Sequence, residues 1–313
     1  MTSSDSAVVA HKVSHTYGRA PALDQVSFEI PGGTFFGLLG PNGSGKTTLF
    51  RLLASLLPVQ SGTLTVGGHS VATNPAEVRR LLGVTFQSPA VDPRLTVTEN
   101  LKCHGQIYGL GGAGLKQRTN MLLDRFELSD RSRALVGSLS GGLRRRVELA
   151  KGLLHSPRVL LLDEPSTGLD PAARRQFWDL IRSQRQEEGT TVVVTTHLME
   201  EAEQCERLVL LDSGRVVCEG PPAELQASLD GQRLSVRCHN TESTQAGIEQ
   251  LLQAKARVTG DSLQFRVPDA AGALKQVMDE LGADVISAAV SQPSLEDVFL
   301  ERTGRGLQQE EEA

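Results

Sequence analysis

The sequence predicts an α/β protein with a small α+β domain appended. An apolar run, Thr34-Phe-Phe-Gly-Leu-Leu39, reads as a buried strand, and Thr48-Leu-Phe-Arg-Leu-Leu-Ala-Ser-Leu-Leu57 reads as a helix. Between them, Gly40-Pro-Asn-Gly-Ser-Gly-Lys-Thr47 satisfies G-x-x-x-x-G-K-[ST] at every fixed position, in the strand–loop–helix context that a phosphate-binding loop requires. Beyond the break at Asp230-Gly231-Gln232, apolar alternation and helical spacing succeed one another as βαββαβ, the ferredoxin-like order.

The residue types of the loop explain its chemistry. Gly40, Gly43 and Gly45 let the backbone come close and turn its N–H groups toward phosphate oxygens. Pro41, Asn42 and Ser44 complete the loop, and the helix N-terminus adds about half a positive charge. Lys46 can reach the β- and γ-phosphates, the Thr47 hydroxyl can ligate Mg²⁺, and Thr48 opens the helix.

Length and charge bound the rest. A chain of 313 residues suggests one or two domains and a sizeable core. The net charge of −5 gives no support to electrostatic nucleic-acid binding as a main role. Cys103, Cys205, Cys218 and Cys238 are scattered without a C-x-x-C pair, so reduced thiols are expected. Met1-Thr-Ser-Ser-Asp5 has neither a basic n-region nor an apolar h-region, so no signal peptide is expected. No apolar run approaches the roughly 20 residues that span a bilayer, so a membrane role is expected to come through a partner. The end, Gln308-Gln-Glu-Glu-Glu-Ala313, reads as a solvated acidic tail.

Ahead of the loop, residues 8–13 and 23–30 alternate imperfectly and read as strands. Tyr17, between them, is one of two tyrosines; its ring can stack on an adenine or simply pack. After the loop come a strand at Gly62–Gly68, a helix at 75–82 and a buried strand at Leu82–Phe86 that ends at Gln87. Gln87 is either a polar strand end or a group that meets a metal-bound water or ligates through its carbonyl. Residues 95–157 read as helical, over Val97–Tyr108 and Gly114–Phe126, with breaks at Gly109 and Gly111-Gly112. Ser140-Gly141-Gly142 then precedes a helix expected near Leu143. Free N–H groups, a serine hydroxyl and a helix dipole make a second phosphate site with no lysine. Arg144, Arg145 and Arg146 behind it read as a solvated face.

Val159-Leu-Leu-Leu-Asp-Glu-Pro165 ends an apolar run in two carboxylates, and a buried unpaired carboxylate is expensive. Beside a phosphate loop the reason is Mg²⁺, held through water by Asp163, with Glu164 facing the attacking water. Thr190–His197 is another buried strand; its terminal histidine is structural or bonds a γ-phosphate. Residues 207–219 read as a hairpin turning at Ser213-Gly214. Pro221-Pro222 opens a change of character, through a helix at Ala223–Leu229 into the small domain. A closing helix begins at Ser294, where Ser294-x-x-Asp297 resembles a capping box with Asp in the usual Glu place.

Taken in order, Tyr17, Gly40–Thr47, Gln87, Leu139-Ser-Gly-Gly142, Val159–Pro165, Thr167-Gly-Leu-Asp170 and His197 resemble the ATPase domain of the ATP-binding cassette (ABC) family over roughly residues 6–225. Phosphate-loop kinases and GTPases share the loop and lack Ser140-Gly-Gly. The resemblance implies a RecA-like core, an antiparallel β subdomain and a helical subdomain (about 88–157) within residues 1–225, the small domain at 226–304 and the tail at 305–313. It implies ATP and Mg²⁺, with Tyr17 on adenine, residues 40–48 on the phosphates, and Thr47, Gln87 and Asp163 at the metal. Glu164 is then the catalytic base, Gln87 the sensor of metal and water, and His197 the γ-phosphate switch. Two such domains close head to tail, so that Ser140, Gly141 and Gly142 cap the ATP of the other subunit; Asp170 belongs to the same nucleotide site. The implied partners are a second ATPase subunit, as a homodimer, and a separate polytopic membrane permease, with no nucleic acid. The implied place is peripheral, on the cytoplasmic face of a bacterial inner membrane.

Leu143 stands where many members have glutamine, and Thr167-Gly168 where many have Ser-Ala; neither removes a group used in the chemistry. The stretches Gln87–Leu101 and Gln292–Gly304 resemble exporter ATPases of the drug- and antibiotic-resistance type. The alternative, a soluble ABC ATPase acting on ribosomes or DNA, calls for two cassettes with a charged linker or a long coiled-coil insertion, and the chain has one cassette and no heptad insertion.

Overall fold

The computed structural model describes residues 6–304 and 306; the acidic tail lies outside the described residues. The chain folds as two compact units, one running to Gly220 and the other Pro221–Gly306. The first begins with β1 (Ser6–Tyr17), β2 (Ala20–Pro31) and β3 (Phe35–Leu39), then α1 (Lys46–Leu53), β4 (Ser61–Val66), β5 (His69–Ser70), α2 (Pro75–Leu81) and β6 (Leu82–Thr85). Helices α3 (Val97–Ile107), α4 (Gly112–Arg125) and α5 (Gly141–Gly152) follow. The unit closes with β7 (Val159–Asp163), α6 (Pro171–Glu188), β8 (Thr191–Thr196), α7 (Met199–Ala202), β9 (Arg207–Asp212) and β10 (Arg215–Gly220).

The central sheet runs β10-β9-β3-β8-β7-β6, parallel except for β10 at one edge. Every residue of β3, β7 and β8 is buried, which is why these strands read as apolar runs without alternation. Successive residues serve opposite faces. Phe36, Leu161 and Val193 join a core with the antiparallel sheet β2-β1-β4-β5 and α1; Phe35, Leu160 and Val194 join one with the helical region and α6. The C-terminal end of α5 touches β6 almost backbone to backbone: a Cβ at Gly83 would sit 2.4 Å from the Gly152 carbonyl oxygen.

Several boundaries differ from the sequence expectation. Helix α1 stops at Leu53, because Ser55 takes a left-handed φ of 56° and turns the chain. Strands β6 and β8 stop at Thr85 and Thr196, which leaves Gln87 and His197 in loops beyond the strand ends. Helix α5 starts at Gly141, with Ser140 as its cap. The longest helix, α6, is the element that apolar spacing does not reveal, since Phe177, Trp178 and Ile181 are its only large buried apolar residues. Its signals are at its start: Asp170 accepts from the Ala172 and Ala173 N–H groups at 3.0 and 2.9 Å, and Pro171 occupies the first turn. Arg118 on α4 grips Glu188 at the end of α6 through Nη1 and Nη2, at 2.8 and 2.9 Å.

The second unit contains α8 (Pro222–Ala227), β11 (Gln232–Cys238), α9 (Thr241–Leu252), β12 (Arg257–Thr259), β13 (Ser262–Val267), α10 (Ala270–Leu281), β14 (Val285–Ser291) and α11 (Leu295–Thr303). Its antiparallel sheet has the order β12-β13-β11-β14, the ferredoxin-like arrangement, with α9 and α10 over a core that includes Leu234, Ile248, Phe265 and Val277. Helix α8 packs on α11 and so belongs with this unit. The capping box holds: the Ser294 N–H donates to Asp297 Oδ2 at 2.7 Å and the Asp297 N–H to Ser294 Oγ at 3.3 Å. No helix among the described residues is long and apolar enough to cross a membrane.

Candidate active site

The site stands at the C-terminal ends of the parallel strands, where α/β sheets gather ligands. Strand β3 delivers Gly40, at which a Cβ would lie 2.3 Å from the Leu211 carbonyl oxygen, so only glycine fits. Gly43 and Gly45 adopt φ of 76° and 102°, and Gly45 caps α1. Lys46 is buried at the first residue of α1, and its Nζ donates to the Gly40 and Pro41 carbonyls at 2.8 Å each. Burial pulls its ammonium below the usual value, against the attraction of Glu164 and Asp163. Ser44 Oγ is buried and has no hydrogen-bond partner among the described residues. Residues 42–48, Ala22 and Glu164 line a cleft of about 150 Å³, and Thr47 is exposed.

Strand β7 ends at Asp163, and Glu164 just beyond it lines this cleft. Burial pushes the Asp163 carboxyl above its usual range; a 2.5 Å hydrogen bond from Thr195 Oγ1 opposes this, and the neighbouring Glu164 adds to it. Glu164 takes a left-handed φ of 43°, a strain of about 1–3 kcal/mol for a residue with a side chain. Its N–H donates to the Thr195 carbonyl and hydroxyl, both at 3.1 Å. Its carboxylate is a meeting point. Gln87 Nε2 donates to Oε2 at 3.3 Å, Thr167 Oγ1 to Oε2 at 3.3 Å, and His197 Nδ1 lies 3.3 Å from Oε1. Residues expected to act together therefore converge from three strand ends.

Two supporting side chains go unnoticed at the level of sequence. Arg145 is not on a solvated face: it is 6% exposed and donates to the carbonyls of Phe86, Asp163, Glu164 and Pro165. Its place in α5 behind Ser140, one turn ahead of Glu148, was the available signal; Arg144 and Arg146 are half-buried. Glu201, at 1% exposure, accepts from the hydroxyls of Ser166 and, at 2.6 Å, Thr196. It thereby joins the loop after Glu164 to the residue before His197.

The remaining expected residues do not line the cleft. Tyr17 ends β1, 46% exposed, with its ring edge-on to His15. Ser140 spends its side chain on the Leu143 N–H at 3.3 Å, while Gly141 is exposed at the start of α5. Asp170 caps α6. Among the described residues no group of three or more His, Cys, Asp or Glu side chains could hold a metal alone. The donors at hand, the Thr47 hydroxyl, the Asp163 carboxylate and the Gln87 amide, are oxygen ligands of the kind that Mg²⁺ takes beside substrate phosphates. A larger recess, about 500 Å³, opens at the opposite strand ends between Gly32-Gly33, Pro157-Arg158 and Gly189-Thr190, away from this chemistry.

Comparison with known proteins agrees with the geometry. The family model for ABC transporters matches residues 23–167, and that for the C-terminal domain of DrrA1-3-like ATP-binding proteins matches residues 220–303. The daunorubicin/doxorubicin resistance ATP-binding protein DrrA of Streptomyces peucetius is 39% identical over 297 residues, 92% of this chain and 89% of its own length. The Nod factor export ATP-binding protein I of Cupriavidus metallidurans is 37% identical over 302 residues, 94% and 96%. Among solved structures, cbiO1 of Clostridium perfringens, part of an ABC transporter complex, superposes with a TM-score of 0.67 at 26% identity, over 71% of this chain and 91% of that one. The chain belongs to the ABC transporter family, as one of its ATP-binding, ATP-hydrolysing subunits.

Proposed function

We propose that the chain is the ATPase of an exporter, closing on ATP as a head-to-tail homodimer and driving a separate polytopic membrane permease from the cytoplasmic side. The observation that carries this is the meeting of Gln87, Thr167 and His197 on the Glu164 carboxylate, at the edge of the cleft that holds Lys46. Lys46 and the loop N–H groups bind the β- and γ-phosphates. Glu164 orients the attacking water and takes its proton, and Gln87 and His197 hold that carboxylate in place. Bound Mg²⁺ neutralises phosphate charge; Thr47, Asp163 and Gln87 would hold it. Tyr17, exposed at the end of β1, stacks on the adenine.

The start of α5 at Ser140-Gly141-Gly142 offers N–H groups and no cation, which suits a triphosphate already held by another copy's lysine. One chain carries one copy of each element, so two chains complete two sites. The export reading follows from relatives named for drug resistance and Nod factor export, each matched along nearly its whole length. No basic footprint recommends nucleic acid as a partner.

The test is Glu164→Gln. It keeps ATP binding, loses nearly all turnover and accumulates an ATP-bound dimer on gel filtration. A variant that hydrolyses ATP at the wild-type rate removes Glu164 from the role. Tagged chain recovered from detergent-solubilised host membranes should bring a polytopic membrane protein in near-equal amount. Recovery with ribosomes or DNA instead would refute the transporter reading.

A further inference from the structure

We propose that Arg145 is a positioning residue for hydrolysis, tying the Gln87 loop and the Glu164 turn to helix α5 so that Glu164 is aligned only when α5 is in place. The inference rests on the reading of Glu164 as the base.

The guanidinium has five N–H donors in a fixed fork, and each has an acceptor here. Nε donates to the Pro165 carbonyl at 2.7 Å, and Nη1 donates to the Phe86 carbonyl at 2.5 Å and to Glu148 Oε2 at 2.8 Å. Nη2 donates to the carbonyls of Asp163 and Glu164, both at 3.3 Å. Three of these carbonyls belong to consecutive residues about the left-handed turn at Glu164, and the fourth precedes Gln87. The second oxygen of Glu148 accepts from the Ala90 N–H at 2.5 Å, on the far side of the Gln87 loop. The pair is almost fully buried, with side-chain exposures of 7% and 2%. One helix thus grips two loops, and both loops supply groups that meet at the Glu164 carboxylate.

A buried ion pair with no such role would also leave this picture, so the charge alone decides nothing. What distinguishes the two is where the acceptors lie. Arg145 spends four of its five bonds on backbone carbonyls flanking the catalytic groups, and those bonds fix orientation. Helix α5 is also capped by Ser140, so the end that faces a second copy's ATP is continuous with the element that orients this copy's Glu164. A lysine has three donors on a flexible stem and cannot reproduce the fork.

The experiment measures ATP hydrolysis and the dissociation constant of a fluorescent ATP analogue, using the full chain. Variants are Arg145→Lys, Gln87→Ala, both together, and Glu148→Gln, with wild type and Glu164→Gln as controls. The controls test the reading beneath; once they behave as stated, the Arg145 variants test the coupling alone. Arg145→Lys should lower kcat about 100-fold, the effect of a roughly 1 Å misplacement, with KM and the analogue dissociation constant within about threefold of wild type. The double variant should fall no more than about threefold below the worse single variant, because both act through one linkage. The coupling is overturned if kcat of Arg145→Lys stays within threefold of wild type, if nucleotide binding weakens in parallel, or if the two losses multiply. Should Arg145→Lys fail to fold, Glu148→Gln is read in its place: a loss confined to kcat supports the linkage, and a wild-type kcat overturns it.

Discussion

Replacing Glu201 by alanine should destabilise the first unit by about 2–5 kcal/mol. The carboxylate is buried and accepts from two hydroxyls, those of Ser166 and Thr196. Removing it leaves both without that acceptor, at about 1–3 kcal/mol each. The Thr196 hydroxyl keeps its bond from the Leu198 N–H at 3.0 Å, which places its loss at the lower end. Glu201→Gln retains one acceptor and can donate its NH₂ to the other hydroxyl, so about 1 kcal/mol is expected. Against a total stability of about 5–15 kcal/mol the alanine loss is large. Trp178 is the only tryptophan in the chain, buried in α6 of the same unit, so its fluorescence in a urea titration follows this unit's unfolding. An alanine variant within about 0.5 kcal/mol of wild type, or a glutamine variant as damaging as alanine, would refute the account. Ser166 follows Pro165 and Thr196 precedes His197, so the loosened variant should also hydrolyse ATP more slowly.

Lys46→Ala should weaken productive ATP binding and lower kcat/KM by at least about 100-fold, through loss of the cation at the β- and γ-phosphates; an undiminished rate in a steady-state assay removes the assignment. His104 gives a pH test of stability. Burial, reinforced by the nearby Lys151 and His155, lowers its pKa to about 4 from the usual 6.5. The unfolded chain therefore binds the proton first, so this group leaves stability intact above about pH 6.5 and removes it as pH falls from there toward 4. Urea titrations at pH 7.5 and pH 5 should show a smaller drop in His104→Gln than in wild type, and equal drops would discount the histidine.

Much of the fold is legible in the sequence, for physical reasons that also explain what escapes. Strands β3, β7 and β8 are buried on both faces and announce themselves as apolar runs. The second unit's elements follow from alternation at Leu234, Val236 and Cys238, and from helical spacing at Leu274 and Val277. Helix α6 escapes because charged and polar residues dominate it and its definition lies in a cap and a proline. At the site, the loop at Gly40–Thr47 is legible because its chemistry needs those residue types at fixed spacing. Arg145 and Glu201 are not, since their partners are mostly backbone carbonyls and hydroxyls brought close only by folding. Charge alone places arginine and glutamate on the surface, and only a structure shows every donor of Arg145 spent inside.

The close approach of Gly83 and Gly152 ties the C-terminal end of α5 to β6. No side chain cushions that contact, while the other end of the helix, at Ser140, is exposed. At about 1.5 Å per residue, Ser140 stands about 18 Å from that contact and Arg145 about 10 Å. Tilting the helix by about 10° about the glycine contact carries Ser140 through about 3 Å and Arg145 through about 2 Å. The longer arm is a displacement on the scale of one hydrogen bond at the outer end. The shorter arm carries a guanidinium beyond the reach of carbonyls that sit 2.5–3.3 Å away. A tilt of that size would therefore release the grip on Glu164, so the packing of α5 on α3 and α6 that resists it also keeps the Glu164 turn in register.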